Sequence, residues 1–216
     1  MRKAMVLGVL ALAGTLASPA FADEWSGVRL GLNLSSDKLQ GDFSFAPLSA
    51  TENLNSDTGS YGLMGGWGLN KWLAVEAALH GGPQFKDDQA FQPLTPATAF
   101  VRTGIDVKGV ELTAVGSWWI TPKFSIFGRA GMYAWKAEQT VTTGDWSQPE
   151  STWARGSTND TGFDPVAGIG LQTELDGAAV RIEYKYAQIG DLIYPGAFVL
   201  EKNEITSLQL SIVWIL

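Results

Sequence analysis

The sequence predicts an all-β fold, an eight-stranded antiparallel up-and-down barrel that crosses a membrane. Three observations predict it. Strand-like segments alternate apolar and polar residues with a period of two. The connections between segments alternate strictly between short and long, which predicts short periplasmic turns and four long external loops. Finally, the apolar rows carry no charge, although the chain of 216 residues has a formal charge of −7.

The N-terminus has the composition of an export signal. Arg2 and Lys3 precede a short apolar run, and Ala20-Phe21-Ala22 has the small-residue pattern of a cleavage site. We therefore expect residues 1–22 to be a signal peptide and residues 23–216 to be an outer-membrane β-barrel domain. The alternative is a membrane anchor, but the apolar run is short for a transmembrane helix. The chain has no cysteine, so no disulfide stabilises the fold.

Strand-like segments follow one another along the rest of the chain, and none shows sustained helical periodicity. Their approximate bounds are 24–36, 60–69, 72–80, 107–120, 124–138, 162–175, 178–189 and 204–216.

Three of the connections are tight turns: Asn70-Lys71, Thr121-Pro122-Lys123 and Asp176-Gly177. Asp-Gly is a strong hairpin signal, because the turn needs a positive φ. The remaining connections are rich in Gly, Ser, Thr, Asp and Pro, and we interpret them as the external loops. They cover about 37–59, 81–106, 139–161 and 190–203.

Turn lengths fix which side chains share a face. A two-residue turn at Asp176-Gly177 places Leu175 opposite Ala178, and a three-residue turn would pair Ile120 with Phe124. In these two hairpins the rows then separate into an apolar face and a charged face. At Asn70-Lys71 a strict two-residue turn would turn Trp67 inward. A three-residue turn that includes Trp72 would turn it outward, and we prefer this second register.

The tryptophans indicate which solvent surrounds the barrel. Six of them lie near the predicted turn-side ends of strands, where an aromatic ring can sit between lipid and water. These predicted membrane-interface aromatics are Trp25, Trp67, Trp72, Trp118, Trp119 and Trp214.

The charged faces must point inward if lipid surrounds the barrel, since a Lys or Arg at the bilayer midplane costs ~2–4 kcal/mol. Charges in a narrow lumen remain ionised only when they pair. We therefore predict an interior ion-pair network, with Arg29 as a further candidate. Its members are Glu76, Glu111, Arg129, Arg181, Glu183 and Lys185. The alternative is a soluble, lipocalin-like barrel with these charges in water.

Several hairpins resemble a known family. "GVELTAVGSWWITPKFSIFGRAGMYAWKAE" (109–138) is similar to the fourth and fifth strands of the OmpA transmembrane barrel, and "FDPVAGIGLQTELDGAAVRIEYKY" (163–186) to the sixth and seventh. "WGLNKWLAVEAAL" is similar to the second and third. The resemblance implies an outer-membrane barrel of a Gram-negative bacterium. It also implies an interior salt-bridge cluster at matching positions, namely Glu76, Arg129, Arg181, Glu111 and Glu183.

No constellation of residues predicts catalysis, a metal site or a cofactor. His80 is the single histidine, and no serine stands near it in the sequence to act as a nucleophile. The loop carboxylates, such as Asp87 and Asp88, lack the spacing of a calcium loop. We expect a non-enzymatic protein with a polar histidine at the rim.

The sequence favours a structural and surface-interaction role, with the barrel as anchor and the external loops as contact surface. Trp146 and Trp153 are the candidate contact residues. The expected partners are outer-membrane lipids and lipopolysaccharide, the barrel assembly machinery through the C-terminal strand, and host or environmental ligands at the loops. The acidic charge disfavours nucleic acid, and we expect a monomer. A narrow porin-like channel and an outer-membrane lipid-modifying enzyme are the alternatives.

Overall fold

The computed structural model of the protein describes residues 26–45, 50–82, 84–89, 99–145, 147–175, 177–194 and 198–216. The predicted signal peptide, Trp25 and Trp146 lie outside the described residues. No helix among the described residues is long and apolar enough to cross a membrane.

Almost every described residue belongs to an antiparallel strand. The strands are β1 (Gly27–Phe45), β2 (Ala50–Gly68), β3 (Leu73–Gly81), β4 (Gln84–Gln89), β5 (Ala99–Thr121), β6 (Phe124–Asp145), β7 (Ala154–Leu175), β8 (Ala178–Ile189), β9 (Leu192–Tyr194) and β10 (Phe198–Ile215). A 3-10 turn at Glu150–Thr152 precedes β7.

Eight of these strands form a closed ring. Each pairs with its neighbour in the order β1, β2, β3, β5, β6, β7, β8 and β10, and pairing between β10 and β1 closes the barrel. The ring confirms the predicted eight-stranded antiparallel up-and-down barrel. In the part of the ring nearest the tight turns, closure leaves no unpaired strand edge among the described residues, which is what a lipid environment demands of a β-structure.

Two of the turns have the predicted register. Leu175 pairs with Ala178, and Gly177 has the positive φ of 84° that the turn requires. At the Asn70-Lys71 turn between β2 and β3, the Leu69 N–H donates to the Leu73 carbonyl, and this hydrogen bond encloses three residues. Two backbone N–H groups of that turn donate to Asn70 Oδ1. Trp67 consequently points outward, as preferred from the sequence.

The turn at Pro122-Lys123 differs from the prediction. Thr121, and not Ile120, pairs with Phe124, because the ladder shifts register between Trp119 and Thr121. Ile120 is the extra residue of a β-bulge, which shifts the alternation of faces by one residue, so Thr121 shares the outward face of its partner Phe124. Ile120 still points outward.

The strands are also much longer than predicted. The segments interpreted as external loops, 37–59, 81–106, 139–161 and 190–203, are largely strand in the structure. Outward positions of these strands carry polar residues such as Asp57, Thr140 and Ser157, which meet water, and polar composition alone does not distinguish such a strand from a loop.

Near the turns the barrel carries apolar side chains outside and polar ones inside. On β10 Leu208, Leu210 and Ile212 are about half exposed, whereas Gln209 and Ser211 are buried. This pattern is inverted relative to a soluble protein and fits a lipid-facing band. We call this part of the barrel, bounded on β6 by Phe124 and Ala134, the membrane section.

Farther from the turns the same strands exchange the chemistry of their two faces. On β6 the outward residues after Ala134 are Lys136, Glu138 and Thr140, and the inward ones are Ala137, Gln139 and Val141. We call this part the outer section. Strand β6 continues unbroken through this change. Its side chains still alternate between the two faces, and only the medium outside the barrel changes from lipid to water.

The outer section consists of two facing sheets. The β2 ladder with β3 begins only at Tyr61, and the β7 ladder with β8 only at Val166. Among the described residues no ladder joins β2 to β4 or β7 to β9. The strands therefore form one sheet of order β9-β10-β1-β2 and a second of order β4-β5-β6-β7.

A buried apolar core lies between these two sheets, as in a soluble sandwich. It is built from Leu39, Phe85, Ile105, Val107, Tyr133, Trp135, Ala137, Val141, Val166, Ala187, Ile189, Leu192, Leu200 and Ile205. This core covers the lumen of the membrane section from above.

Two aspartates of β7 bridge one gap between the sheets. The Asp164 carboxylate accepts hydrogen bonds from the Gly190 backbone N–H and from Trp135 Nε1. The Asp160 carboxylate accepts one from the Ile193 N–H at 2.9 Å. Side-chain acceptors thus satisfy backbone donors at a place where the strand ladder is interrupted.

The outer core predicts a difference between two adjacent residues of β1. Replacing the buried Leu39 by Ala should lower the free energy of unfolding by about 2–5 kcal/mol, because it leaves a cavity in a packed core. Gln40→Ala, on the water-facing side, should change it by less than about 0.5 kcal/mol. Urea unfolding in lipid vesicles measures both, and equal effects would contradict the packed outer section.

Candidate functional site: a charged layer inside the barrel

Eight charged side chains are buried among the described residues, four basic and four acidic. They are Arg29, Asp37, Glu76, Glu111, Arg129, Arg181, Glu183 and Lys185. All eight point inward from the strands of the ring, and we call these eight residues the charged layer. They include the six residues named from the sequence, together with Arg29.

Glu76 of β3 is the centre of the lower half of the layer. Both its carboxylate oxygens lie 2.9 Å from Nη1 of Arg181, which reaches across the lumen from β8. Its Oε2 is 3.4 Å from Arg129 Nη2, and its Oε1 is 3.4 Å from Arg29 Nη1. Three guanidinium groups thus surround one carboxylate.

Glu111 of β5 is the centre of the upper half. Its Oε2 lies 3.1 Å from Lys185 Nζ and 3.0 Å from His80 Nε2. Its Oε1 accepts a hydrogen bond from Arg129 Nη1 at 3.2 Å. Arg129 therefore touches both glutamates and joins the two halves.

The remaining groups of the layer have partners of matching chemistry. Arg129 Nε is 2.9 Å from Glu183 Oε1. Arg181 Nε donates to Gln172 Oε1 at 2.7 Å, and its guanidinium lies over the ring of Phe127 at 5.2 Å from the centroid. A cation over an aromatic face gains electrostatic attraction in a desolvated site.

The balance of charge decides whether the layer can form. Taking an ion out of water costs several kcal/mol, and pairing recovers that energy only when the remaining hydrogen-bonding groups are also met. Equal numbers of basic and acidic groups meet the first part of this condition, whereas the second is met incompletely, because Arg181 Nη2 and Glu183 Oε2 have no hydrogen-bond partner among the described residues. The layer is therefore a cross-link between opposite walls of the barrel, and it is stable only as a set.

Glycine at position 168 makes room for this packing. A Cβ built on Gly168 would collide with Glu183 Oε1. The glycine lies on β7 directly between Arg129 of β6 and Lys185 of β8 in the ladders. Its missing side chain leaves space for the long charged groups of its neighbours.

A small chamber lies above the charged layer and below the outer core. Its volume is about 30 Å³, and its lining includes Asp37, Ser60, His80, Tyr133 and Ser207. Ser60 Oγ donates to Asp37, and Ser35 Oγ lies 2.6 Å from Ser60 Oγ. A polar space of this size holds one or two water molecules.

The sequence prediction missed Asp37. The predicted first strand ended at residue 36, so Asp37 was assigned to a loop, whereas β1 continues to Phe45. The signal was available, because Asp37 continues the inward row of Arg29 and Asn33 at a spacing of four. His80, expected at the rim, instead contacts the charged layer through Glu111.

Apolar side chains close the turn end of the lumen. Met64, Ala78, Ala179 and Val213 form a buried cluster there, with Trp119 packed against it. Trp119 Nε1 donates to the Lys71 carbonyl at 2.6 Å. Trp119 therefore lies inside the barrel, whereas the sequence pattern predicts it at the membrane interface. Adjacent residues on a strand face opposite sides, so Trp119 must point inward where Trp118 points outward.

The other described tryptophans of that set point outward near the turns. The exposed fractions are 55% for Trp67, 47% for Trp72, 74% for Trp118 and 42% for Trp214. Their role as interface anchors stays a prediction.

The charged layer predicts that Glu76 is critical for stability. Glu76→Gln leaves Arg29, Arg129 and Arg181 without their shared anion, so the free energy of unfolding should fall by about 3–5 kcal/mol. Glu201→Gln, on the exposed outer section, is the matched control and should change little. Urea unfolding in vesicles that shows the same small effect for both would contradict the role of the layer.

Several solved structures that are similar to this chain are outer-membrane barrels. Neisserial surface protein A (NspA) is 12% identical, with a TM-score of 0.57 over 88% of this chain and 98% of that one. OprG from Pseudomonas aeruginosa is 10% identical, with a TM-score of 0.59 over 89% and 98%. The protease OmpT from Escherichia coli is 10% identical, with a TM-score of 0.52 over 93% and 100%.

Identities this low establish the fold alone, and no curated protein matches this chain significantly. A family model, by contrast, does match it. The profile of the OmpA-like transmembrane domain matches residues 19–214, which is most of the chain. The chain therefore belongs to the OmpA-like transmembrane domain family and is a β-barrel protein of the bacterial outer membrane.

Proposed function

We propose that this barrel is a closed membrane anchor that presents its outer section and external loops as a contact surface. The observation that carries the proposal is the length of the strands beyond the lipid-facing band. From Lys136 to Asp145, β6 continues past that band. At ~3.3 Å per residue and a tilt of about 40°, this stretch rises roughly 25 Å along the barrel axis.

The groups that fill the lumen favour an anchor over a channel. Glu76 and Arg181 meet across the lumen, apolar side chains lie at the turn end, and the outer core lies above. A conducting path would need all three obstructions to move. An eight-stranded barrel is in any case narrow enough for its side chains to fill the interior.

The chamber beneath the outer core argues against an enzyme. Ser60, His80 and Ser207 line the same chamber, which is the combination a hydrolase would need. Its volume of about 30 Å³ admits water but no lipid or peptide. His80 Nε2 is engaged by Glu111 at 3.0 Å and lies 3.3 Å from Lys185 Nζ.

The connection between β6 and β7 is the best-supported contact region. Asp145 Oδ1 accepts hydrogen bonds from the backbone N–H and the hydroxyl of Ser147. Arg155 pairs with Glu150, and Thr152 Oγ1 donates to the Pro149 carbonyl. A tip ordered before binding loses less conformational entropy when a partner docks. Trp153 is half-buried and supports the tip more than it presents a free ring.

The proposed partners follow from the location and the fold. They are lipopolysaccharide and other outer-membrane lipids around the membrane section, the assembly machinery at β10, and a host or environmental ligand at the loops. The acidic charge, −7 over the whole chain, argues against nucleic acid. We further propose a monomeric protein without a cofactor, exported by the segment 1–22.

Surface retention tests the contact role. A laboratory strain that displays the barrel should adhere to immobilised extracellular-matrix and serum proteins at least threefold better than a strain with empty vector. Replacing residues 147–153 by a Gly-Ser linker should abolish the difference, whereas Lys123→Ala at the opposite end should not. Outer-membrane levels are matched by heat-modifiable migration on gels.

Planar-bilayer recordings of the same purified protein complete the test. A closed anchor gives no stable single-channel steps. Reproducible conductance, together with adhesion unaffected by the loop replacement, would contradict the proposal and favour the narrow channel.

A further inference from the structure

Two lysines face each other on the outside of the barrel where the lipid-facing band ends. Lys108 of β5 pairs with Lys136 of β6, one outward step beyond the apolar pair Val110 and Ala134. Phe163, 65% exposed, continues the apolar row beside Ala134. The lysines therefore lie at the level of lipid head groups, as outward residues next to the last lipid-facing row.

This pairing is unfavourable unless anions lie near it, and the next outward pair on the same face, Asp106 and Glu138, supplies two carboxylates. Like charges directly opposite each other on neighbouring strands are destabilising. Among the described residues Lys136 makes no salt bridge, and Lys108 has a single long one, 3.5 Å to Asp106, with its side chain 65% exposed. Both ammonium groups retain unused hydrogen-bonding capacity on the same outer surface.

A hollow lies directly above the lysine pair. It has a volume of about 250 Å³ and an opening at residue 104, where glycine provides no side chain. Its lining offers carboxylate, amide and hydroxyl groups and includes Gln84, Phe85, Gly104, Ile105, Asp106, Glu138 and Thr140. Such acceptors and donors suit the hydroxyl groups of a sugar ring.

We propose that this surface binds the phosphorylated sugar head group of a glycolipid in the outer leaflet. Lys108 and Lys136 contact the phosphate through charge-assisted hydrogen bonds. Asp106, Glu138, Gln84 and Thr140 hydrogen-bond the sugar in the hollow above. The acyl chains continue down over the apolar row that contains Val110, Ala134 and Phe163.

Position on the barrel selects a lipid over a soluble anion. The site continues the lipid-facing surface without interruption, so only an amphiphile can occupy both the lysine row and the row below it. On β10 the corresponding outward positions, Thr206 and Glu204, carry no basic residue. The lysine pair and the hollow above it lie together on the β5–β6 face.

Native mass spectrometry of the full barrel in detergent tests the site with three probes: bis-phosphorylated lipid A, dephosphorylated lipid A and phosphatidylglycerol. Wild type should retain bis-phosphorylated lipid A at least tenfold more than either of the others. The double variant Lys108→Gln/Lys136→Gln should reduce this adduct at least tenfold, since the loss of even one charged hydrogen bond removes about a factor of ten. Lys38→Gln, on the outward face of β1, is the matched control and should leave it unchanged.

A second variant tests the hollow apart from the lysines. Gly104→Tyr places a ring in the hollow, and the nearest obstacle is the rotatable Thr140 hydroxyl. It should weaken the lipid A adduct about fivefold or more and leave the weak phosphatidylglycerol adduct unchanged. Heat-modifiable migration establishes that each variant is folded.

Three results would overturn the proposal. The first is a lipid A adduct that is insensitive to the two lysines, as expected if they only extend into water. The second is equal retention of phosphatidylglycerol, which would indicate a general anion surface. The third is an adduct unaffected by Gly104→Tyr.

Discussion

The structure depends on one constraint: each strand keeps its alternation of faces while the solvent around it changes. Next to the turns the outside is lipid, so apolar residues face out and polar ones face in. Beyond Leu34 of β1 the outside is water, and the same alternation places Lys38 outside and Leu39 inside. Two oppositely patterned barrel sections therefore share continuous strands.

The interior follows from this exchange. A lipid-facing section must hold its polar side chains inside, where they are stable only as a balanced ionic set. A water-facing section holds an apolar core. The charged layer around Glu76 and Glu111 consequently lies between Trp119 on one side and Tyr133 and Trp135 on the other. In the function we propose, this order of layers closes the lumen and makes the outer section a support for its loops.

Much of the membrane section was predictable, because period-two patterns need no knowledge of distant contacts. The inward row Arg181, Glu183 and Lys185 was read directly from alternation. The outer section was missed because its water-facing rows of Ser, Thr, Gly and Asp resemble loop composition. The bulge at Ile120 leaves no signature in composition. Which carboxylate meets which guanidinium depends on strand stagger and is set by the closed barrel, not by sequence spacing.

Spin-label depth profiling along β6 tests the change of solvent most directly. The chain has no cysteine, so single cysteines at the outward positions 126, 130, 134, 136, 138 and 140 can be labelled one at a time in lipid vesicles. Labels up to position 134 should be more accessible to oxygen, and those from 136 onward to a water-soluble nickel complex. A profile that stays lipid-like through position 140, or water-like from position 126, would contradict the exchange of faces.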